Sequence, residues 1–302
     1  MLKPFLKWAG GKTQILDEIF KYFPKEIDNY YESFIGGGSV FINLLEKIES
    51  KDIKVKKLFL NDKNSYLIDL YKCIKSDVNA LIKELEKIKN NFELSKDEKF
   101  DKRYKFIIDD DISKNIKKSR QHVYYFYRKQ FNKTKIIIEK SALFIFLNKT
   151  CFRGLYRESS NGDFNVPYGN YKKPNIYDEN ELKELSKIFN KYEIEFTNLD
   201  FLEHVKDIKI KDFVYFDPPY YPINIKSFTK YQKEDFNTES HKKLKNVCDD
   251  LNKKKIKFVH SNSDCEFNND NYGKYSIIKL KCKRRINSKK PESNENELII
   301  FN

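Results

Sequence analysis

The sequence lacks the features that mark several classes of protein. Its five cysteines are odd in number, widely spaced and never form a C-x-x-C pair, so neither a disulfide framework nor a zinc knuckle is expected. His122, His204, His241 and His260 have no metal-ligand spacing, and we expect them on solvated helix surfaces or in loops. The H-x-E and P-C-x-x-C patterns of a zinc deaminase are missing, which excludes that class.

The chain also lacks a hydrophobic run long enough to span a bilayer. Its opening, MLKPFLKWAGGK, has no apolar core followed by a small-residue cleavage site. We therefore expect a cytoplasmic protein without a membrane partner.

WAGGKT, residues 8–13, lacks the first glycine of a phosphate loop. That pattern needs a glycine at position 6, where Leu6 stands, so binding of ATP or GTP is excluded. Trp8 lies beside two glycines and between Lys7 and Lys12, which indicates a ring and two cations lining a cleft. The alternative for the single tryptophan is core packing.

The composition allows a folded protein with an anionic partner. In 302 residues, 39% are hydrophobic and 15% aromatic, which is enough to build a core. The formal net charge of +14 is spread along the chain and favours a polyanion, with nucleic acid ahead of an acidic membrane surface. The alternative is that lysine is simply abundant here.

Strand and helix patterns alternate at both ends of the chain and are interrupted in the middle. YYESFIGGGSVFINLLEKI followed by VKKLFLNDKN reads as a βαβ unit. The middle has long amphipathic helices and a hairpin with Asn161-Gly162 at its turn, a dipeptide that accepts positive φ at both positions. We predict an α/β domain, residues 1–64 and 178–302, split by a helical domain, residues 65–177.

A glycine turn and an acid stand where a nucleoside would need them. In FIGGGSVF, Phe34 precedes Gly36 and Gly38 between a strand and a helix, where a ligand can approach the backbone and the helix N–H groups. Phe41 replaces the third glycine of a dinucleotide fingerprint, which disfavours NAD. Asp62 ends the next strand, where a carboxylate can bind both ribose hydroxyls. We predict a nucleoside-containing cofactor; the alternative is a tight turn plus a helix-capping acid.

FVYFDPPYYP, residues 213–222, is the sharpest signal in the sequence. Ligands of an α/β sheet gather beyond the carboxyl ends of its strands, so Asp217 is expected in the cleft. The prolines limit where the Pro218 carbonyl and the Tyr220 ring can point. Two acceptors suit an exocyclic amine, and the ring offers a stacking face for a planar base. The alternative is a strand terminator followed by solvent-facing tyrosines. The sequence does not indicate which residue or ligand Tyr221 contacts.

Basic and aromatic residues alternate in NKTCFRGLYRESSNGDFNVPYG, residues 148–169. Arginines such as Arg153 and Arg157 can donate twice to guanine, and aromatic tips can wedge between bases. The segment therefore predicts a base-reading hairpin; the alternative is a hairpin packed on its helices.

In this order, the motifs resemble the Dam family of DNA adenine-N6 methyltransferases. FLKWAGGK, ESFIGGGSVFIN, LNDKN, FLN…GLYR…GDFNVPYGNYKKP and DFVYFDPPY together cover nearly the whole chain. Two departures are Ser33, where the family usually has proline, and Arg153, where asparagine is more usual. The resemblance implies an α/β fold with a Rossmann-like class I methyltransferase sheet and an inserted helical, hairpin-bearing domain that recognises the DNA target.

The resemblance also implies an activity and roles for particular residues. We expect methyl transfer from S-adenosyl-L-methionine to N6 of a flipped-out adenine in duplex DNA, within GATC, with no metal. The residues expected to bind the cofactor are Trp8, Lys12, Phe34, Gly36, Gly38, Asp62, Asp200, Phe201 and Asp217. The residues expected to hold the target adenine are Asp217, Pro218 and Tyr220. The residues expected to contact DNA are Lys7, Phe152, Arg153, Leu155, Arg157 and Pro167, with Phe152 as the intercalating wedge.

The expected partner is double-stranded DNA, and we expect the protein to bind it as a monomer at the nucleoid. A cognate restriction endonuclease is a further expected partner if the protein serves a restriction-modification system. Two alternatives stay open at this point. One is an amino-group methyltransferase acting on RNA or protein, because an acid-led PPY can serve other planar amines. The other is a non-catalytic DNA-binding relative with the same fold.

Overall fold

The computed structural model describes residues 3–96, 107–222, 236–283 and 294–302. The chain forms two compact units. The first, the sheet unit, comprises Gly10–Lys63 and Tyr192–Asn302, and the second, the helical unit, comprises Leu2–Ala9 and Asn64–Lys191. Within the described ranges, no helix is both long and apolar enough to cross a bilayer.

The sheet unit is built on seven described strands in the order β3-β2-β1-β4-β5-β7-β6. They are β1 (Glu26–Glu32), β2 (Lys54–Asn61), β3 (Glu193–Thr197), β4 (Phe213–Phe216), β5 (Lys257–Ser263), β6 (Ser276–Lys283) and β7 (Asn294–Phe301). The first five pair in parallel, and β7 runs antiparallel to both of its neighbours. This mostly parallel sheet confirms the predicted Rossmann-like α/β fold.

Helices of the two units account for most of the remaining described chain. The sheet unit has α1 (Leu16–Phe20), α2 (Ser39–Glu49), α9 (Phe201–His204), α10 (Thr238–Lys253) and α11 (Glu266–Tyr272). The helical unit has α3 (Ser65–Ser76), α4 (Val78–Leu94), α5 (Ile112–Lys118), α6 (Arg120–Lys133), α7 (Ile137–Thr150), a 3-10 turn (Phe152–Gly154) and α8 (Glu179–Lys191). Because α8 packs against α3 and α4, the helical unit ends at Lys191, later than the boundary after residue 177 that the sequence had indicated.

The central position of β4 explains its uninterrupted apolar run. All four side chains of FVYF are fully buried, and the strand pairs with β1 on one side and β5 on the other. A parallel strand that is covered on both faces has no polar face to alternate with.

The strand order places the predicted site residues at one edge of the sheet. The chain runs outward from β1 to β2 and β3 and then crosses back to β4 on the other side of β1, and this reversal opens a crevice beyond the carboxyl ends of β1 and β4. The glycine turn follows β1, Asp62 follows β2 and Asp217 follows β4. They therefore emerge at the same edge.

The hairpin of the helical unit turns at Ser159–Gly162. The Gly162 N–H donates to the Ser159 carbonyl at 3.0 Å, and an antiparallel bridge joins Glu158 to Phe164. Gly162 has a φ of 79°, whereas Asn161 is outside the left-handed region, so the prediction of positive φ at both positions was wrong. The glycine alone supplies the conformation that the turn needs.

The prediction of solvated histidines was also wrong. His122, His204, His241 and His260 are all less than 9% exposed. Burial lowers the pKa of His204 and His241 to about 4 and that of His260 to about 3, so these rings are neutral at pH 7. Ser33, one of the departures from the family pattern, places its hydroxyl 3.0 Å from Nδ1 of His204.

Candidate functional site

Asp217 is paired with a buried lysine in the sheet unit. Lys12 Nζ lies 2.8 Å from Oδ2 of Asp217 and donates to the Gly10 carbonyl at 2.5 Å. The Lys12 backbone N–H donates to Ser39 Oγ at the start of α2, at 3.1 Å. Lys12 is 2% exposed, so its ammonium is held in place against the carboxylate and compensates the buried negative charge.

The surroundings of Asp217 make its carboxyl group a weak acid. Burial raises the pKa of Asp217 to about 6; Lys12 opposes that shift and Glu297 adds to it. At pH 7 the group is therefore mostly ionised, and both of its oxygens can act as hydrogen-bond acceptors.

The Tyr220 ring is held from two sides. Lys12 Nζ lies 4.7 Å from the ring centroid, within range of a cation–π interaction, and the Tyr220 hydroxyl donates to Oε2 of Glu297 at 2.9 Å. Glu297 lies on β7 directly opposite Ser263 of β5. Sequence reasoning missed Glu297, because only the antiparallel register brings it to Tyr220 across 77 residues of sequence.

Tyr221, for which the sequence offered no partner, packs within the sheet unit. Its ring stacks on Phe267 at a centroid distance of 4.1 Å and meets His241 edge-on at 5.1 Å. Its backbone N–H donates to Oδ1 of Asn262, and its carbonyl accepts from Oγ of Ser263. Tyr221 therefore anchors the end of the segment that begins at Asp217.

The glycine turn and Asp62 are joined directly. Gly36 and Gly38 have φ values of 48° and 73°, which side chains with a Cβ rarely adopt. The Gly36 N–H donates to Oδ2 of Asp62 at 2.9 Å, and Asn198 donates to the Asp62 carbonyl at 2.7 Å. The turn after β1 and the acid after β2 are thus hydrogen-bonded to each other at the same edge of the sheet.

Aromatic rings follow β1 and β3 at the same edge. Phe34 lies 5.6 Å from Phe201 and 5.4 Å from Phe236, measured between ring centroids. Asp200 caps α9 by accepting from the Leu202 N–H at 2.9 Å. Sequence reasoning missed Phe236. The glycines, the carboxylate and these rings suit a ligand with a ribose and a planar base.

In the helical unit, the segment before the WAGGKT glycines is tied to the end of α7. Asn148 accepts from the Lys7 N–H at 2.8 Å and donates to the Lys7 carbonyl at 2.7 Å. Lys7 Nζ lies 4.3 Å from the centroid of the Tyr171 ring. Trp8, which the resemblance places at the cofactor, has ring contacts within this unit to Phe144 and Tyr156.

The segment after α7 exposes an aromatic side chain. Phe152 is 46% exposed, and its N–H donates to the Pro167 carbonyl at 2.8 Å. Arg153 has a φ of 59° and stacks its guanidinium on Phe152, 5.2 Å from the ring centroid. Asparagine adopts such a φ more readily than arginine, which gives a physical reason for the asparagine usual here. At Gly154 a Cβ would meet that of Lys7 at 2.6 Å, so only glycine fits.

Arg157 is exposed and its guanidinium is steered by a neighbour. Its Nε donates to Oδ1 of Asn165 at 2.6 Å, and the Asn165 N–H donates to the Arg157 carbonyl at 3.1 Å. Asn165 was missed because its role depends on pairing across the hairpin. Leu155 is half-buried and its carbonyl accepts from the Cys151 thiol at 3.3 Å, while Pro167 is exposed.

The hairpin is also packed on a helix. Its inner side chains, Phe164 and Val166, are 3% and 2% exposed, and Tyr124 of α6 donates to the Val166 carbonyl at 2.7 Å. The two alternatives drawn from the sequence are therefore compatible: one side packs on α6, and the other exposes Phe152 and Arg157.

Comparisons with known proteins agree with this architecture. The family model of D12 class N6 adenine-specific DNA methyltransferase matches residues 8–286. The chain is 41% identical to the Type II methyltransferase M.MjaIII of Methanocaldococcus jannaschii, over 100% of this chain and 99% of that protein. It is 32% identical to the Type II methyltransferase M1.LlaDCHI of Lactococcus lactis, over 100% and 95% of the two chains. It is 30% identical to the DNA adenine methylase of Escherichia coli, over 95% and 90%. The resemblance drawn from the motifs is confirmed: this chain belongs to the D12 class of N6 adenine-specific DNA methyltransferases.

Proposed function

We propose that the protein transfers a methyl group from S-adenosyl-L-methionine to N6 of an adenine in duplex DNA, within GATC. The observation that carries this proposal is the pair of buried Lys12 and half-buried Asp217, with the Tyr220 ring beside it. An acceptor whose charge is compensated and a nearby aromatic face match the needs of an adenine amine. They also disfavour a relative that only binds DNA, because such a protein has no use for a carboxylate held by a buried lysine.

The chemistry that the chain must supply is activation of a poor nucleophile. The lone pair of the adenine amine is conjugated into the ring. Hydrogen bonds from the amine to Asp217 and to the Pro218 carbonyl make the nitrogen more tetrahedral and orient its lone pair. An in-line displacement would form the N6–C bond as the S–C bond of the sulfonium breaks, release a neutral thioether, and pass the proton that N6 loses to solvent; placement of the acceptors would supply most of the acceleration.

The turn after β1 suits the cofactor. Asp62 would bind the ribose hydroxyls, Gly36 and Gly38 would let the ligand approach the backbone, and Phe34 and Phe201 would border its adenine. S-adenosyl-L-methionine, when bound, supplies an electrophilic methyl group on a sulfonium. The hydrogen bond between Gly36 and Asp62 fixes the conformation of the turn, so the proposed cofactor-binding end of the site is formed before the substrate binds.

The helical unit would read the DNA. Exposed Phe152 would enter the base stack as the adenine leaves it, and Tyr220 would replace the lost stacking in the pocket. Arg157, with Lys7, Leu155 and Pro167, would contact the outer bases, while the basic surface holds phosphates. This division gives chemistry to the sheet unit and recognition to the helical unit.

The direct test maps methylated adenines in DNA from cells that express the protein. We expect 6-methyladenine in GATC, and none above background in cells expressing Asp217→Ala as the matched control. Methylation of RNA alone, or of no nucleic acid, would refute the proposal. Methylation in another site containing GAT would refute GATC as the recognition sequence, while the proposed adenine methylation would stand.

Replacement of Arg157 by alanine is expected to relax the preference at an outer guanine. Loss of two donors to guanine costs about 1–3 kcal/mol of discrimination at that position. The check is the ratio of kcat/KM on GATC duplexes to that on duplexes with one outer base changed. Asn165→Ala should move the ratio in the same direction, because Asn165 steers the guanidinium. Lys117→Ala, an exposed basic residue on α5, is the control. An unchanged ratio of kcat/KM values for Arg157→Ala would show that Arg157 does not recognise an outer base.

A further inference from the structure

The carboxyl end of β5 is polar although it is buried. His260, Ser261, Asn262 and Ser263 are all 0% exposed. Polar side chains in such a place destabilise a fold unless they are hydrogen-bonded, so their partners indicate what they stabilise.

Two of these side chains hold the main chain of Tyr221. Oδ1 of Asn262 accepts from the Tyr221 N–H at 3.1 Å, and Oγ of Ser263 donates to the Tyr221 carbonyl at 2.5 Å. The N–H and the carbonyl of a single residue outside the strand are thus both bound by side chains of β5.

The two side chains are themselves fixed. Oδ1 of Asn262 also accepts from the Ser263 N–H at 2.8 Å, and its Nδ2 lies 3.3 Å from Nε2 of His260. Asn268 of α11 donates to the Ser263 carbonyl at 2.8 Å. The side chains that hold Tyr221 are therefore fixed by other residues of β5 and by α11.

The clamp, formed by the side chains of Asn262 and Ser263, fixes the far end of the short segment from Asp217 to Tyr221. Asp217 is held by Lys12 at the near end, and the two prolines that follow Asp217 have restricted φ. With both ends and two of the intervening torsions fixed, the Pro218 carbonyl and the Tyr220 ring have little freedom. Glu297 adds a third restraint through the Tyr220 hydroxyl.

We infer that Asn262 and Ser263 are positioning residues for methyl transfer, acting through the Tyr221 main chain to set the Pro218 carbonyl and the Tyr220 ring. This inference rests on the adenine-binding roles proposed above for Asp217, Pro218 and Tyr220. A displacement of about 1 Å at reacting groups can lower a rate by about 10²-fold. Loss of the clamp should therefore lower kcat and leave KM for DNA and for the cofactor nearly unchanged.

The strand contains a matched control. Ser261 and Ser263 are both fully buried and both hydrogen-bonded through their hydroxyls, but Ser261 meets the Tyr215 hydroxyl at 2.9 Å and does not hold the Tyr221 main chain. Removal of the Ser261 hydroxyl costs the hydrogen bond to Tyr215, whereas removal of the Ser263 hydroxyl costs the bond to the Tyr221 carbonyl and three longer contacts, with Asn262, Cys265 and Asn268. Only Ser263→Ala releases the Tyr221 carbonyl.

The experiment compares Ser263→Ala with Ser261→Ala in steady-state methyl transfer to a GATC duplex, with thermal unfolding of each variant. We expect Ser263→Ala to lower kcat by about 10- to 100-fold with both KM values within about threefold. Ser261→Ala, which also loses a buried hydrogen bond, should keep kcat within about twofold. Ser263→Thr, which retains the hydroxyl, should recover most of kcat.

Other results would overturn the inference. An unchanged kcat in folded Ser263→Ala, or equal losses of kcat in the two alanine variants, would leave these residues a structural role only. If Ser263→Ala does not fold, Asn262→Leu is measured instead, because leucine has the same branched shape without the acceptor. The same loss of kcat is expected, and a normal kcat would contradict the inference. Absence of methyl transfer by the folded wild-type protein would instead refute the proposed function, so the two failures are distinguishable.

Discussion

Asp217→Ala should abolish methyl transfer, with kcat lower by about 10³-fold, while binding of a GATC duplex stays within about tenfold. The variant loses the carboxylate that accepts from the adenine amine, an electrostatic contribution of the size measured for comparable donors and acceptors. Affinity for duplex DNA comes chiefly from phosphate contacts, which this change does not touch. The measurements are single-turnover methyl transfer and a binding titration at one salt concentration.

Two further variants make this prediction sharper. Alanine at 217 leaves buried Lys12 with neither a counter-charge nor an acceptor at this position, a change that can cost about 3–5 kcal/mol of stability, so Asp217→Asn, which removes the same charge but keeps an oxygen for the ammonium, is measured beside it. The asparagine retains one oxygen acceptor and the side-chain volume, and we expect it to be nearly as inactive. Asp52→Ala, which removes an exposed acid of the same unit, should behave as wild type. Normal turnover by Asp217→Ala would contradict the assignment.

Lys12→Met should shift the pH dependence of the reaction upward. Burial raises the pKa of Asp217 to about 6, and Lys12 opposes that shift. Since Asp217 acts as an acceptor when ionised, kcat/KM of the wild-type protein should rise through a pH of about 6. Without the ammonium the pKa of Asp217 rises further, by about 1–3 units, so the rising limb moves to higher pH.

The expected consequence at pH 7 is a loss of about 2- to 100-fold in kcat/KM, partly recovered as the pH is raised towards 9. The check is the profile of kcat/KM between pH 5 and 9. Lys47→Met is the matched control, because Lys47 pairs with Asp52 at the surface. A profile of unchanged midpoint in Lys12→Met would show that the lysine does not control ionisation of the acceptor.

Local patterns in the sequence were sufficient to predict the fold class. They also predicted most of the residues that lie at one edge of the sheet, beyond the carboxyl ends of its strands. The run FVYF predicts a covered central strand because all four side chains are apolar or aromatic, and β4 has that position. The glycines after β1 and the acids after β2 and β4 then follow from the rule that ligands lie beyond the carboxyl ends of parallel strands. Parallel pairing brings together residues that occupy equivalent places at the ends of their strands.

What the sequence missed depends on contacts between distant segments. Glu297 meets Tyr220 only because β7 runs antiparallel beside β5, and a shift of one residue in that register would turn its side chain to the other face. Asn148 and Asn165 are ordinary polar residues until the chain returns to place a backbone group or a guanidinium beside them.

The buried polar residues show most clearly that local sequence patterns do not predict contacts between distant segments. A histidine is usually exposed, so its side chain alone predicts a surface position, and the burial of all four here depends on the neighbours that surround them. By itself, the sequence determined the α/β class and the family, and it predicts Asp217, Pro218 and Tyr220 as the residues at the target adenine, because all of these depend on contiguous motifs. Only the tertiary structure decided that Lys12 pairs with Asp217 and that Asn262 and Ser263 hold Tyr221, because strand order and register set which side chains meet.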